Sequence, residues 1–300
     1  LVSFYAMGDT PYNTDQRYCL NRQLRGLNMA QDEASFIAHI GDIKAGRGAG
    51  SACTASVYQE VANIIQHSDN SQNYDVGDFV LMVGDNEWTD CINKDEAWDF
   101  WINTFGPSSS FASKMPSLSR QTDVSRTNMS GGSDARTENL SFFVKDVLVL
   151  GINMMGSFNG DRNVPVGDEA ERLGQNLDWV KRNMETYGSR MKAVVILAHA
   201  PFEGSVARDH FGNPFKDLVR NTFQVPTIYI HGDGHAFCYK YPDNTNPGLV
   251  DLMVDDGGDA PPILVSVRRR ISDGQVLFHV DERGGTYSSG CNGVNQNTWS

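Results

Sequence analysis

Short apolar runs recur along the chain and alternate with segments whose apolar residues are spaced as on a helix. The apolar runs cover residues 2–7, 35–40, 79–83, 147–152, 193–197 and 227–230, and the helix-like segments cover 14–29, 54–66, 94–105, 169–187 and 215–223. Runs this continuously apolar are typical of strands that are covered on both faces. The alternation of strand and helix predicts right-handed crossovers and a largely parallel sheet.

The pattern changes towards the end of the sequence. Three apolar runs, at 249–254, 263–267 and 276–280, follow one another with Gly, Pro and Asp turns and no helix between them. This spacing predicts antiparallel strands. The stretch 106–139 is rich in Ser, Thr, Gly and Asn and lacks periodicity, which indicates a surface insertion at about 106–140 rather than a linker, because the strands on either side continue one pattern. We therefore predict one domain over residues 1–300.

Polar clusters containing Asp or His follow most of the predicted strands of the first set. In chain order the clusters hold Asp9, Asp42 and Lys44, Asp85 with Asn86 and Glu87, His199, and finally His231, Asp233 and His235. Because the carboxyl ends of parallel strands lie at one edge of a sheet, these clusters are predicted to converge.

Each cluster also has a simpler interpretation. A single Gly-Asp pair after a strand is more often a plain turn than a ligand site. Three such pairs together with His199 and the later histidines favour a functional site, since carboxylates brought close together repel one another unless a cation neutralises them. A mixed set of Asp, Asn and His side chains suits Zn, Fe, Mn or a similar divalent ion rather than Ca alone.

The order of these clusters resembles the five-block signature of the calcineurin-like metallophosphoesterases, the group that includes purple acid phosphatases and cyclic-nucleotide phosphodiesterases. The blocks extend from Asp9 to His235 and therefore span most of the chain. The resemblance implies an α/β fold: a four-layer αββα sandwich of two mixed β-sheets flanked by helices.

The resemblance also implies roles for the site residues. It implies one or two divalent metal ions (Zn, Fe, Mn or Mg), with Asp42 as the bridge, Asp9 and His235 on the first ion, and Asp85 and His199 on the second, while Asp233 is a further ligand. A metal-activated water would then attack the phosphorus of a small-molecule phosphoester or a phosphoprotein. Lys44 is expected either to bind the substrate phosphate or, as the commoner role of lysine, to neutralise a neighbouring carboxylate.

The sequence departs from the family pattern at three positions. Pro11 stands where the first block usually has a histidine ligand, Asn86 where the third block has a histidine that protonates the leaving group, and Asp233 where the last block has its first histidine. Asn cannot act as a general acid. His231 is close enough in sequence to compensate as ligand or acid.

Two functions therefore remain open. The first is a metal-dependent phosphoester hydrolase. The alternative is a binding or structural protein that kept the fold and lost turnover, with a role in an extracellular assembly.

The net charge of −12 argues against nucleic acid as a partner, because the protein's field repels a phosphate backbone. The basic run Arg268-Arg269-Arg270 is interpreted as a solvated strand end.

No apolar run reaches the ~20 residues that span a bilayer. Nothing in the sequence supports a homo-oligomer, which stays open.

The cysteines and glycosylation acceptors favour a secreted protein in an oxidising compartment. Five cysteines occur without a CxxC pair, and we expect disulfides Cys53–Cys91 and Cys238–Cys291 with Cys19 left free. The acceptor triplets at Asn128 and Asn139 adjoin the polar stretch and are expected to be exposed. The sequence opens directly on a predicted strand, which we interpret as a mature N terminus or the result of leader removal.

Overall fold

A computed structural model describes residues 1–46, 52–67, 78–127, 133–156, 168–242, 248–258 and 260–285. Its strands are β1 (Val2–Met7), β2 (Ala34–His39), β3 (Phe79–Leu81), β4 (Ser119–Arg120), β5 (Ser125–Thr127), β6 (Ser133–Ala135), β7 (Leu140–Val144), β8 (Val147–Gly151), β9 (Ala193–Leu197), β10 (Thr227–His231), β11 (Cys238–Lys240), β12 (Leu249–Met253), β13 (Ile263–Arg269) and β14 (Val276–Asp281). The long helices are α1 (Thr14–Arg25), α2 (Ala55–His67), α3 (Lys94–Phe105) and α4 (Asp168–Tyr187).

A further helical segment lies between β9 and β10. It consists of α5 (Ser205–Ala207), a π-helical turn (Arg208–Gly212), α6 (Asn213–Asp217) and a second π-helical turn (Leu218–Phe223), and it begins earlier than the predicted 215–223. Polar side chains set the starts of two long helices. The side chain of Asn13 accepts a hydrogen bond from the Gln16 amide at the start of α1, and Asn93 does the same for Glu96 at the start of α3.

The strands form two large mixed sheets. The first sheet has the order β14-β13-β1-β2-β3 and the second has the order β11-β12-β10-β9-β8-β7-β4. In the first sheet β1, β2 and β3 are parallel, and in the second β8, β9, β10 and β12 are parallel. The predicted parallel arrangement of the first six strands is thereby confirmed.

The prediction for the three late strands is only partly correct. β13 and β14 pair antiparallel in the first sheet, as expected. β12 instead runs parallel to β10 in the second sheet, with Thr227 opposite Leu249. The residues after β12 cross to the other sheet, so a loop without a helix connects two sheets here rather than two neighbouring antiparallel strands.

The core has three hydrophobic layers, which produce the predicted αββα sandwich. One face of each sheet packs against the other sheet, with Phe4 and Val195 among the buried residues between them. The outer face of the first sheet packs against α1, α2 and α3, and the outer face of the second packs against α4 and the later helical segment. Each parallel strand is therefore covered on both faces, which explains why its sequence is continuously apolar.

The described parts of the stretch 106–139 are partly buried, in contrast to a simple surface excursion. They add β4 to the edge of the second sheet through pairing with β7, and they include the antiparallel pair β5 and β6. Asn139 is fully buried, and its side-chain amide donates to Gln121 and Asn176. The expectation that Asn139 is an exposed glycosylation acceptor is therefore wrong, because a glycan would have to replace these buried hydrogen bonds. Asn128 lies outside the described residues.

The cysteine predictions have mixed outcomes. Cys53 and Cys91 form a disulfide, as predicted, and Cys19 is free. Cys238 is also disulfide-bonded, and its predicted partner Cys291 lies outside the part of the chain that the structure describes. Over the described ranges, the helices are too short or too polar to cross a membrane.

Candidate metal centre

Six side chains from two sheets meet at the carboxyl ends of the parallel strands. Asp9, Asp42 and Asp85 follow β1, β2 and β3 of the first sheet, while His199, Asp233 and His235 follow β9 and β10 of the second. The His199 imidazole joins the two sets, because its Nε2 lies 2.9 Å from Asp85 Oδ1 and 3.3 Å from Asp42 Oδ1. The same nitrogen lies 3.8 Å from Asp233 Oδ1.

Asp9 lies beside the last two residues of the group. The Asp233 amide donates to Asp9 Oδ1 at 3.1 Å, and His235 Nε2 is 3.5 Å from the same oxygen. Asp9 is buried, whereas the His235 side chain is about half exposed at 49%. The group therefore has a buried acidic interior with a histidine at its solvent-facing edge.

The donor atoms fit a divalent cation. Asp9, Asp42 and His199 each offer one ligand atom within 4.8 Å of the others, and so do Asp85, His199 and Asp233. His199 Nδ1 lies 3.1 Å from the carbonyl oxygen of Ile40, to which it donates. That bond leaves Nε2 facing the carboxylates as a potential ligand atom, the arrangement expected of a metal-ligating histidine. His199 belongs to both groups, whereas Asp42 belongs to only one of them. The bridging role of Asp42 therefore stays a prediction.

The pKa values of the grouped side chains are shifted in the direction that favours added positive charge. Burial, with the nearby Asp85 and Glu87 charges, raises the pKa of Asp42 well above its usual value. Burial likewise raises the pKa of Asp233 to about 6. Burial alone would lower the pKa of His199, but the Asp42 charge and the bond to Asp85 raise it. Raised carboxyl pKa values of this kind are expected where carboxylates are packed together in a low dielectric.

The backbone at these loops is held in an unusual conformation. Four of the six candidate ligands have left-handed φ values: Asp9 (54°), Asp42 (59°), Asp233 (64°) and His235 (49°). Non-glycine residues rarely adopt this region, and such strain is concentrated at functional sites.

Gly84 shows how tightly the loops pack. A Cβ added there would overlap the backbone nitrogen and Oδ1 of Asp42. A side chain at this position is therefore excluded, and the glycine lets the loop after β3 lie directly on the loop after β2.

Glu87 supports the loops, although no separate role was predicted for it. Its fully buried carboxylate accepts hydrogen bonds from the amides of Asp42, Ile43 and Gly84. A single side chain thus fixes the first residues of two ligand loops against each other. Burial raises the pKa of Glu87, and these backbone bonds oppose the rise.

Lys44 lies among the carboxylates rather than in an exposed position. Only 4% of the residue is exposed, and its Nζ donates to the carbonyl oxygens of Ala45 and Asn86. Burial lowers the pKa of Lys44, while the charges of Glu87 and Asp42 oppose that effect. These contacts favour the neutralising role over the substrate-binding role.

His231 does not join the candidate ligands. Its Nε2 lies 3.2 Å from Asp251 Oδ1, and its Nδ1 lies 2.9 Å from the Gly232 carbonyl oxygen. His231 is on the same side of β10 as Tyr229, which packs beneath the outer helices. Strand alternation thus places it on the outer face of the second sheet, so the expectation that it serves as ligand or acid is not met by this geometry.

Asp251 connects His231 to a chain of charges on that outer face. Lys240 Nζ lies 3.2 Å from both Asp251 and Glu203. Burial alone would raise the pKa of Asp251, but the hydrogen bond from His231 and the charge of Lys240 lower it. His231 is therefore a partner of a buried carboxylate, and no proton transfer to a substrate is assigned to it.

Asn86 lies beside the candidate ligands, but its side chain is not oriented towards them as the side chain of a general acid would be. Its amide donates to Asp42 Oδ1 at 3.1 Å, and its side-chain oxygen packs against Gly46. The residue orients Asp42 through its backbone.

Tyr12 is a second residue of the site for which no role was predicted. Its hydroxyl lies 3.2 Å from both Asp9 Oδ1 and Asp42 Oδ2, and 3.1 Å from His235 Nε2. Burial, followed by the charges of Asp42 and Asp9, raises its pKa, so the phenol is neutral and its single proton is shared between these two carboxylates. It follows Pro11 directly, the position at which the family pattern has a histidine.

Comparison with known proteins identifies the architecture. No family model matches the sequence, and no curated protein matches it. Solved structures do match: a 5'-nucleotidase from Candida albicans aligns with a TM-score of 0.54 and 14% identity, over 93% of this chain and 51% of that one. The structure of PhoD aligns with a TM-score of 0.52 and 11% identity, over 97% of this chain and 72% of that one.

These similarities confirm the predicted fold. The chain has the calcineurin-like metallophosphoesterase fold, and it spans about half the length of the nucleotidase that it matches. At these identities the likeness concerns the fold alone.

Proposed function

We propose that the chain is a metal-dependent phosphoester hydrolase. The observation that carries this proposal is the contact of one histidine, His199, with Asp42 and Asp85 from the opposite sheet. Buried carboxylates at this density have a large desolvation cost unless a cation joins them. The metallophosphoesterase fold and the ligand-like orientation of His199 support the same conclusion.

The chain's own residues would position the reacting groups. Asp9, Asp42, Asp85, His199 and Asp233 would hold the cation or cations, with His235 at the exposed edge. A divalent ion supplies Lewis acidity towards a phosphoryl oxygen and towards water. Glu87 and Gly84 keep the ligand loops in contact, and Tyr12 ties Asp9 and Asp42 to His235 by hydrogen bonds.

The same geometry indicates a preference among substrates. Neither Asn86 nor His231 is placed to protonate a leaving group, so the enzyme would favour esters whose leaving groups need no proton, such as aryl phosphates. General acid catalysis typically contributes about 10² to 10⁴ in rate, so alkyl esters should react much more slowly. A small phosphoester therefore fits the proposal better than a serine phosphoprotein.

The second candidate is a binding protein that holds metal without turnover. The placement of Asn86 and His231 favours it, because both positions that were expected to supply an acid are engaged elsewhere. The two candidates make the same prediction for metal binding and differ only in catalysis.

Turnover assays separate the two candidates. p-Nitrophenyl phosphate, bis-p-nitrophenyl phosphate and an alkyl phosphate would be assayed with Mn, Zn, Fe or Mg across acidic and alkaline pH. The hydrolase predicts metal-dependent release of nitrophenol that Asp42→Ala abolishes and the exposed-carboxylate control Asp209→Ala retains. Asn86→His, which adds an imidazole beside Asp42, should narrow the preference for aryl esters. Rates equal to those of Asp42→Ala would favour the binding protein.

We also propose an oxidising, extracytoplasmic location. The disulfide Cys53–Cys91 supports it, since such bonds are rare in reducing compartments. Finding the native protein in a cytosolic fraction with both thiols free would contradict the proposal.

A further inference from the structure

A cleft lies between the two sheets, away from the candidate metal centre. It has a volume of about 450 Å³, within the size range of small-molecule sites. Its walls include side chains from both sheets: Tyr239, Tyr241, Val250, Arg269, Val276 and Phe278.

The cleft is at the opposite end of the sandwich from the candidate ligands. Pro226 and Gly248, which line it, immediately precede β10 and β12. The candidate ligands of the second sheet instead follow β9 and β10. The length of the parallel strands separates the two sites, so the cleft is not an extension of the metal centre.

The walls of the cleft are apolar. Val250 and Phe278 are buried members of the core between the sheets, and Val276 packs against that core. Tyr239 and Tyr241 stand edge to face, with ring centroids 6.0 Å apart. A ligand with a hydrocarbon body would bury apolar surface here and gain roughly 25 cal/mol per Å².

The mouth of the cleft carries positive charge. Arg268 and Arg269 end β13 and are exposed, and neither has an ion-pair partner among the residues that the structure describes. The next arginine, Arg270, is already paired with Asp273. Unpaired arginines beside an apolar cleft are unexpected in a chain whose net charge is −12.

Strand alternation selects Arg269 as the residue nearest the apolar walls. Val265 and Val267 of β13 belong to the core between the sheets, and Arg269 continues that face because side chains alternate with a period of two. Arg268 projects from the other face of the same strand.

We propose that this cleft binds an amphipathic anion, whose apolar chain lies between the sheets and whose anionic head pairs with Arg269. The apolar walls account for the tail, and the unpaired guanidinium accounts for the sign of the head group. A neutral amphiphile would lack the ionic contact, and a cationic one would meet repulsion at the mouth.

Calorimetric titration with decanoate tests the proposal, with decyltrimethylammonium as the cationic counterpart. Decanoate should bind saturably with one site per chain, and added salt should weaken it because the ionic contact is exposed. The cationic amphiphile should show no saturable binding. Equal binding of both amphiphiles, or no saturable binding of decanoate, as expected if another segment of the chain fills the cleft, would overturn the proposal.

Two variants locate the binding site. Arg269→Glu is an exposed change that should weaken decanoate binding by about tenfold, through loss of attraction and added repulsion. Lys145→Glu changes the net charge by the same amount, but this residue lies in the turn between β7 and β8. It should leave the affinity for decanoate unchanged. Asp42→Ala should also leave it unchanged, because the cleft is separate from the metal centre. Loss of affinity in Lys145→Glu equal to that in Arg269→Glu would refute the assignment.

Discussion

The hydroxyl group of Tyr12 lies 3.1 Å from Nε2 of His235, and the same hydroxyl contacts Asp9 and Asp42. One side chain therefore joins the loops after β1, β2 and β10. It does so directly after Pro11, the position where the family pattern has a histidine. The candidate metal centre thus has a polar group next to the position at which the sequence departs from the family pattern.

Tyr12→Phe should weaken metal binding about tenfold, because a hydrogen bond to a charged group contributes about 1.5 to 3 kcal/mol. Affinity would be measured by equilibrium dialysis against a chelating dye, with metal content read by elemental analysis. Tyr18→Phe is the matched control, since Tyr18 is 74% exposed on α1. An unchanged affinity in Tyr12→Phe would show that the hydroxyl has no part in the centre.

Gly84→Ala should destabilise the protein by about 2 to 3 kcal/mol, the usual cost of overpacking a buried contact, and should reduce its metal content. The added methyl group would overlap Asp42 and separate the loops after β2 and β3. Gly174→Ala is the control: its Cβ would meet nothing within 4 Å, and the change inside α4 should stabilise by about 1 kcal/mol. Urea unfolding measures both effects. Equal stabilities would contradict the packing described here.

His39 predicts a pH dependence of stability. Its Nε2 lies 2.9 Å from the Thr10 carbonyl oxygen, and its Nδ1 accepts from the Gly41 amide, so the neutral ring makes both bonds. Burial lowers the pKa of His39 to about 4, while the charges of Asp9 and His199 act in opposite directions.

The unfolded chain takes up a proton at this histidine below about pH 6.5, and the folded protein does so only near pH 4. The wild-type protein should therefore lose about 3 kcal/mol of stability between pH 7 and pH 4 that His39→Gln does not lose. Gln retains a donor towards Thr10. Urea unfolding of the metal-free proteins at several pH values gives the difference, and parallel curves for the two would disprove this role for His39.

Much of the fold could be predicted because its signals are local. The bounds of β1, β9 and α3 follow from apolar spacing alone. A glycine and an aspartate after each early strand identified the candidate ligands, because the carboxyl ends of parallel strands share one edge. His39 ends a continuously apolar strand, and its ring is satisfied there by two buried hydrogen bonds.

The features that were missed depend on distant partners. β12 joined the second sheet because it pairs with β10, which its own sequence does not specify. Asn139 is buried by Gln121 and by Asn176 of α4. Tyr12 contacts Asp9, Asp42 and His235 only because of the conformation of the loop after β1, which the sequence pattern does not specify. His231 is different, since alternation along β10 places it on the same face as Tyr229, and that signal was present in the sequence.

The central claim is that the strand ends of two sheets form one cation site, and metal analysis tests it most directly. The wild-type protein, purified without chelator, is expected to carry one or two equivalents of a transition metal. Asp42→Ala should carry almost none, whereas Asp209→Ala, which removes an exposed carboxylate, should match the wild type. Less than about a tenth of an equivalent in the wild type, or full metal content in Asp42→Ala, would contradict the account.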